Sequence, residues 1–153
     1  MKKSESSNTP INSIKLVIPS LSVNEGIARS VMASFCAHLG PTATDIADIK
    51  CAVSEAVTNC IVHAYKNSVG MIYITAEAFP NATVKITVRD KGCGIADVKQ
   101  ARQPLFTTDA ENERSGLGFT VMESFMDKLS VRSKEGKGTT VIMLKHMGSI
   151  SGE

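Results

Sequence analysis

Three groups of residues have types and spacings that could carry chemistry. The run SEAVTNCIVHAY, residues 54–65, sets Glu55, Asn59 and His63 four residues apart. On a helix, at about 100° per residue, they span roughly 80° of one face. Ile49, Ala52, Val53, Ala56, Cys60 and Ala64 line the adjoining apolar face, so the polar stripe borders the buried one. A carboxylate aimed into a cleft from there could take a hydroxyl proton. An amide oxygen is a suitable hard ligand for Mg²⁺. The same spacing also fits the solvated edge of an amphipathic helix, and spacing alone does not separate the two.

The second group is Asp90-Lys91-Gly92-Cys93-Gly94, directly after TVKITVR. The end of a strand would fix Asp90, and two glycines would let the backbone approach a ligand closely. An Asp-Gly loop is common in its own right. The third group is Arg114-Ser115-Gly116-Leu117-Gly118, which opens a helix. Free N–H groups at a helix start suit an anionic phosphate, and Arg114 would add bidentate donors. Taken alone, this segment reads more readily as a helix cap with a surface arginine.

Two nucleotide-binding motifs are excluded. Gly136-Lys137-Gly138-Thr139 lacks the upstream glycine of a Walker A loop and lies in a hairpin turn. A dinucleotide fingerprint fails because Gly92-x-Gly94 is followed by Asp97 where glycine or alanine belongs. A zinc site is not expected, since His38, His63 and His146 have no ligand spacing with a cysteine pair.

These groups must be positioned by a small number of elements. The 153 residues suit one domain with a real core. The net charge of +2, from 17 basic and 15 acidic side chains, argues against a nucleic-acid binder. Aromatics are 5% with no Trp, which disfavours a base-stacking platform. No run approaches the ~18 apolar residues of a membrane span. The start, MKKSESSNTPINS, has no apolar core of a secretory signal. Cys36, Cys51, Cys60 and Cys93 form no CxxC and are expected to be reduced, mostly buried thiols in the cytoplasm.

Residues 1–10 are expected to form a disordered tail and 147–153 a flexible one, leaving 11–146 as the domain. Ile14, Leu16 and Ile18 alternate as a strand that Pro19 ends. Residues 22–39 have helical spacing at Ile27, Val31, Met32, Phe35 and Leu39, closed by Gly40-Pro41. A second helix runs from Thr44-Asp45 to about Lys66, followed by a turn over 67–70. Residues 71–79 and 83–89 alternate as a hairpin around Pro80-Asn81. A long loop over 90–116, a helix over 117–127 and a hairpin of 129–133 with 139–146 complete the order. The expected fold class is α+β: a two-layer α/β sandwich, with a mostly antiparallel sheet and helices on one face.

Taken in order, the Glu-x-x-x-Asn helix, the strand-ending Asp-x-Gly-x-Gly and the Gly-x-Gly at a helix start resemble the GHKL (Bergerat) ATP-binding fold. That superfamily holds gyrase-type ATPases, Hsp90, MutL proteins and histidine kinases. GTT at 138–140 looks like its last nucleotide-contacting element. The resemblance spans about residues 12–146. SEAVTN, ARQPLFTT (101–108) and ERSGLGFTVMESFMD (113–127) are closer still to the anti-sigma F factor family of endospore-forming bacteria.

The resemblance implies roles residue by residue. Glu55 would be the general base, and Asn59 would coordinate Mg²⁺ bridging the ATP phosphates. Asp90 would accept from the adenine amino group, Gly92 and Gly94 would pack on the nucleoside, and Thr139 would sit beside the adenine. Residues from about Ile95 to Ser115 would form a lid. Arg114 would reach the γ-phosphate, with Gly116 and Gly118 hinging the lid end. Thr108, Ser115 and Leu117 would also touch the nucleotide, ATP or ADP.

The implied function is an ATP-dependent protein serine kinase and anti-sigma factor. Its implied partners are a sporulation sigma factor, sigma F, and an anti-anti-sigma protein whose serine is phosphorylated. A homodimer is implied, with helix 22–39 as contact region and Arg29 facing a partner. Direct DNA and membrane contact are not expected. A pure nucleotide switch would need no Glu55. A histidine-kinase catalytic domain or a GHKL ATPase would need a phospho-acceptor or transducer segment, which 153 residues are not expected to hold. The chain departs from the family in a longer N-terminal tail and in Cys93, a thiol that could sensitise the site to oxidation.

Overall fold

The computed structural model describes residues 8–103 and 118–148. Its elements run β1 (Asn12–Pro19), α1 (Val23–Cys36), α2 (Ala43–Asn59), β2 (Met71–Ala78), β3 (Thr83–Asp90), α3 (Val98–Ala101), α4 (Gly118–Phe125), β4 (Lys128–Lys134) and β5 (Gly138–His146). The strands form one sheet in the order β1-β2-β3-β5-β4, with every neighbouring pair antiparallel. The expected α+β sandwich is therefore the observed architecture.

Alternation decides which face of the sheet is covered. Ile72, Ile74, Ala76 and Ala78 of β2 and Val84, Ile86 and Val88 of β3 are buried, while the residues between them are partly or fully exposed. Val141 and Met143 continue the buried face on β5. Against it pack Met32 of α1, Ile49, Val53 and Val57 of α2, and Met122 of α4, all fully buried. Lys145 lies on the same face, and its charge is met by Asp48 at 3.3 Å and the Phe125 carbonyl at 2.8 Å.

Pro19 ends β1 as expected, opposite Met71. The elements and the core differ from expectation in four places. Ile27 is 50% exposed, and Ala28 and Cys36 take its expected place in the core. A purely apolar reading favours the larger side chain, whereas close approach of α1 to α2 favours the small one. The second helix does not run α-helically to Lys66, since Cys60–Ala64 form a π turn. A short helix, α3, interrupts the expected 90–116 loop, capped by Asp97, whose side chain accepts from Gln100 N–H at 3.0 Å.

The expected C-terminal tail is the fourth. Met147 is buried and its N–H donates to the Ala82 carbonyl. Gly148 N–H donates to Asp45 Oδ2 at 3.0 Å. The domain thus includes at least these two residues, and 149–153 lie outside the described residues, as do 1–7. Cys36 and Cys60 are buried as expected, but Cys51 and Cys93 are exposed. No helix among the described residues is long and apolar enough to cross a membrane.

Candidate functional site

The helical wall of the site is set by the start of α2. Thr42 caps it: its hydroxyl accepts from Asp45 N–H at 3.0 Å, and Asp45 Oδ2 accepts from Thr42 N–H at 2.9 Å. From that start, Ile49, Ala52, Val53, Ala56 and Val57 face the core. Glu55 and Asn59 fall on the flank of this stripe and are half-buried. Gly118, the first residue of α4, meets them there. A Cβ on Gly118 would lie 3.2 Å from Asn59 Oδ1 and 3.4 Å from Glu55 Oε2. Gly118 is thus brought beside the Glu-x-x-x-Asn helix, far from it in sequence.

The sheet wall is set by strand periodicity. Asp90 continues the buried alternation of Val84, Ile86 and Val88, so its carboxylate is turned to the core face and is 6% exposed. Its Oδ1 accepts from Gly92 N–H at 2.9 Å and from Thr139 N–H at 3.2 Å. Its Oδ2 accepts from the Cys60 thiol at 3.6 Å. Burial pushes the Asp90 pKa up, against the opposing pull of these three donors. Thr139 reaches the same end because β5 runs antiparallel to β3, with Arg89 opposite Thr140. Its hydroxyl lies 2.8 Å from that of Ser133.

The loop after β3 closes the floor. Tyr65 OH accepts from Lys91 N–H and donates to the Met71 carbonyl, both at 2.7 Å. Cys93 N–H donates to the Ala64 carbonyl at 3.0 Å, and its thiol donates to the His63 carbonyl at 3.2 Å. Ile95 N–H donates to Ser133 Oγ at 2.7 Å. A Cβ at Gly92 would lie 2.3 Å from the Ala64 carbonyl oxygen. At Gly94, with φ +72°, it would lie 2.1 Å from that of Lys134. Protein backbone fills both spaces, so glycine there is required by closure of the loop onto the π turn and the β4–β5 hairpin.

Between the two walls lies a cavity of about 360 Å³. Asn59, Asp90, Gly94, Gly118 and Thr139 line it, with Val88, Ile95, Phe119 and Val141 as apolar surface. That size and mixture suit a small ligand with an apolar ring system and a few polar anchors. Glu55 is not part of this lining and stands behind it, beside Gly118. Thr108, Arg114, Ser115, Gly116 and Leu117 lie outside the described residues. Arg29 is away from the cavity, on α1, where it pairs with Glu25 Oε1 at 3.2 Å. The same oxygen accepts from Ser54 Oγ of α2.

Sequence reasoning missed Cys60 as a partner of Asp90, as well as the cavity positions of Phe119, Val141 and Gln100. Val141 was legible as the next same-face residue after Thr139. Asp97-x-x-Gln100 carries a capping pattern that marks α3. Cys60 had no such signal, because its contact crosses from α2 to β3.

Known proteins match this chain over most of its length. The model of the histidine kinase-like ATPase domain matches residues 18–145. The anti-sigma F factor of Caldanaerobacter subterraneus subsp. tengcongensis is 56% identical over 137 residues, covering 90% of this chain and 95% of that one. The anti-sigma F factor of a Thermoanaerobacter species is 55% identical over 138 residues, covering 90% of this chain and 96% of that one. The crystal structure of the RsbU and RsbW domains of a Mycobacterium tuberculosis protein has the same fold, with a TM-score of 0.66 at 21% identity. It covers 91% of this chain and 33% of that one. A sheet-and-helix cavity built by the Glu-x-x-x-Asn and Asp-x-Gly-x-Gly groups, and relatives matched over nearly their whole length, lead to one conclusion: the chain belongs to the anti-sigma F factor family, within the histidine kinase-like (GHKL) ATPase domains.

Proposed function

We propose that this chain binds and inhibits a sporulation sigma factor, sigma F, and transfers the γ-phosphate of ATP to a serine of an anti-anti-sigma protein. The observation that carries this reading is the opposition of two walls across one cavity. A carboxylate and an amide stand at Gly118, and a buried acceptor stands at Asp90. A purine fits between Val88, Ile95 and Val141, with its amino group donating to Asp90 and Thr139 beside it. The phosphates then extend toward Asn59 and the start of α4.

Phosphoryl transfer asks mainly for positioning and charge stabilisation. Asn59 offers a hard oxygen on the cavity wall, which fits a Mg²⁺ ion that keeps most of its ligands from phosphate and water. Mg²⁺ held by Asn59 would supply charge to offset that of the phosphates. Glu55, next to Asn59 across Gly118, takes the proton of the attacking serine hydroxyl. Arg114 contacts the γ-phosphate, the segment from about Ile95 to Ser115 covers it, and Thr108, Ser115, Gly116 and Leu117 contribute to nucleotide binding. Gly92 and Gly94 shape the floor under the nucleoside.

The protein acts as a homodimer in the cytoplasm, without touching DNA itself. Support for the dimer comes from exposed apolar side chains at the start of α1, Val23 at 72% and Ile27 at 50%, with Leu21, Val69 and Met71 exposed as well. Arg29, on the same helix, faces a partner. The test is incubation with ATP, Mg²⁺ and the anti-anti-sigma protein, read by intact mass. A gain of one phosphate on a serine is expected. No gain, with sigma-factor binding retained, would reduce the function to a nucleotide-dependent clamp.

A further inference from the structure

The Asp90 carboxylate has about four lone-pair positions when ionised. Two on Oδ1 are taken by the Gly92 and Thr139 N–H groups. One on Oδ2 is taken by the Cys60 thiol, a side chain that is 3% exposed. Cys60 sits where α2 passes into its π turn, directly after Asn59, and lines the cavity with Asp90.

We propose that Cys60 is a positioning residue for nucleobase selection, whose S–H fixes Asp90 Oδ2 so that its one remaining lone pair is turned to an exocyclic amino group of the bound purine. This rests on the reading of Asp90 as the adenine acceptor. With Oδ1 held by two donors and Oδ2 by a third, the carboxylate cannot rotate to suit another base. A 6-oxo purine then presents an acceptor to an anionic oxygen, whereas a 6-amino purine completes the set of donors. Leaving a buried polar group unpaired is what makes such a site selective.

Cys60 is suited to this because it stays a donor. Its side chain is enclosed in the core, and the hydrogen-bond acceptor it meets there is Asp90 Oδ2. Among the described residues, the other ionisable groups nearby are Tyr65, directly after the π turn, and His63, Lys66, Asp97 and Glu135 around the cavity. None of them has a hydrogen bond to Asp90 among those described.

The test compares the unaltered protein with Cys60→Ala, Cys60→Ser and Asp90→Asn. Binding is measured for ATP and for purine riboside triphosphate, which lacks the 6-amino group, from neutral to acid pH. Cys60→Ala is expected to cut the preference for ATP about three- to tenfold. It should also bring the acid loss of ATP binding closer to neutral pH, since a donor that favours the carboxylate is gone. Cys60→Ser, whose hydroxyl can donate to the same oxygen, should keep both properties. Cys60→Val, which fills the volume without a donor, should behave as alanine does even if alanine leaves a void.

A thiol that only fills space gives a different result. Alanine and serine would then leave preference and pH profile unchanged and move thermal stability alone, which overturns the proposal. Serine failing as alanine fails also overturns it. If Asp90→Asn itself leaves the preference intact, the fault lies in the adenine reading. If Asp90→Asn abolishes it while Cys60→Ala does not, the fault lies with Cys60.

Discussion

The two walls of the cavity are built differently. On the sheet side, Asp90 is buried and held by Gly92, Thr139 and Cys60, and Thr139 is backed by Ser133. On the helix side, Glu55 and Asn59 are half-buried on the flank of α2, with Gly118 against them. The sheet wall is rigid before any ligand arrives, because each donor that orients Asp90 comes from backbone or core. The helix wall presents its polar groups at the edge of the core, where an incoming ligand reaches them. Recognition of a base profits from the first arrangement. Transfer of a charged group, whose position changes along the reaction, profits from the second.

The sharpest way to break this comparison is Glu55→Ala. Phosphotransfer to the partner serine should fall by about 10²–10⁴ while ATP affinity holds. Single-turnover phosphorylation and equilibrium ATP binding measure the two separately. Loss of binding with loss of transfer would mean that the helix wall also recognises the nucleotide.

Asp90→Asn should do the reverse. ATP affinity should drop about ten- to a hundredfold, the worth of a hydrogen bond to a charged group, while the affinity for GTP changes little. Titration with both nucleotides checks it. The pH dependence has a definite sign. Burial raises the Asp90 pKa, so the carboxylate takes up its proton at a higher pH than an ordinary aspartate. The protonated form has lost acceptor strength, so ATP affinity in the unaltered protein should fall as pH drops through that raised value. In Asp90→Asn this acid limb should be absent.

Gly92→Ala tests the joint between the walls. Its Cβ would meet the Ala64 carbonyl at 2.3 Å, a backbone atom that cannot swing aside. A loss of about 1–3 kcal/mol is expected in chemical denaturation, with weaker ATP binding because the loop that carries the Asp90 donor moves. The smallest effect is expected at Thr42→Ala. It removes the cap of α2 at the end remote from Asn59, and should cost about 0.5–2 kcal/mol in stability with selectivity for ATP unchanged. Thermal unfolding and the ATP-to-GTP affinity ratio check that separation.

Much of this was readable from spacing. The alternation TVKITVRD places Asp90 on the buried face of a strand, and Glu55 and Asn59 four apart must share a helix flank. The strand and helix order followed from period and from turn residues. What could not be read were contacts between elements. Ile27 looked like core and is exposed, because α1 turns Ala28, Met32 and Cys36 inward instead. Met147 looked like tail and is buried, because Ala82 and Asp45 lie where the chain leaves β5.

Gly92 and Gly94 show the division most clearly. Their identity in the Asp-x-Gly-x-Gly motif is plain in the sequence, and so is the need for a backbone without side chains. Which atoms demand it, the Ala64 and Lys134 carbonyls, depends on the π turn and the second hairpin arriving at the same loop. Likewise Cys60 and Asp90, thirty residues apart, meet only when α2 is laid on the sheet. Periodicity is a local property of the backbone and survives in a one-dimensional reading. Which surfaces meet is set by the joint burial of faces from distant elements, and that requires the folded chain.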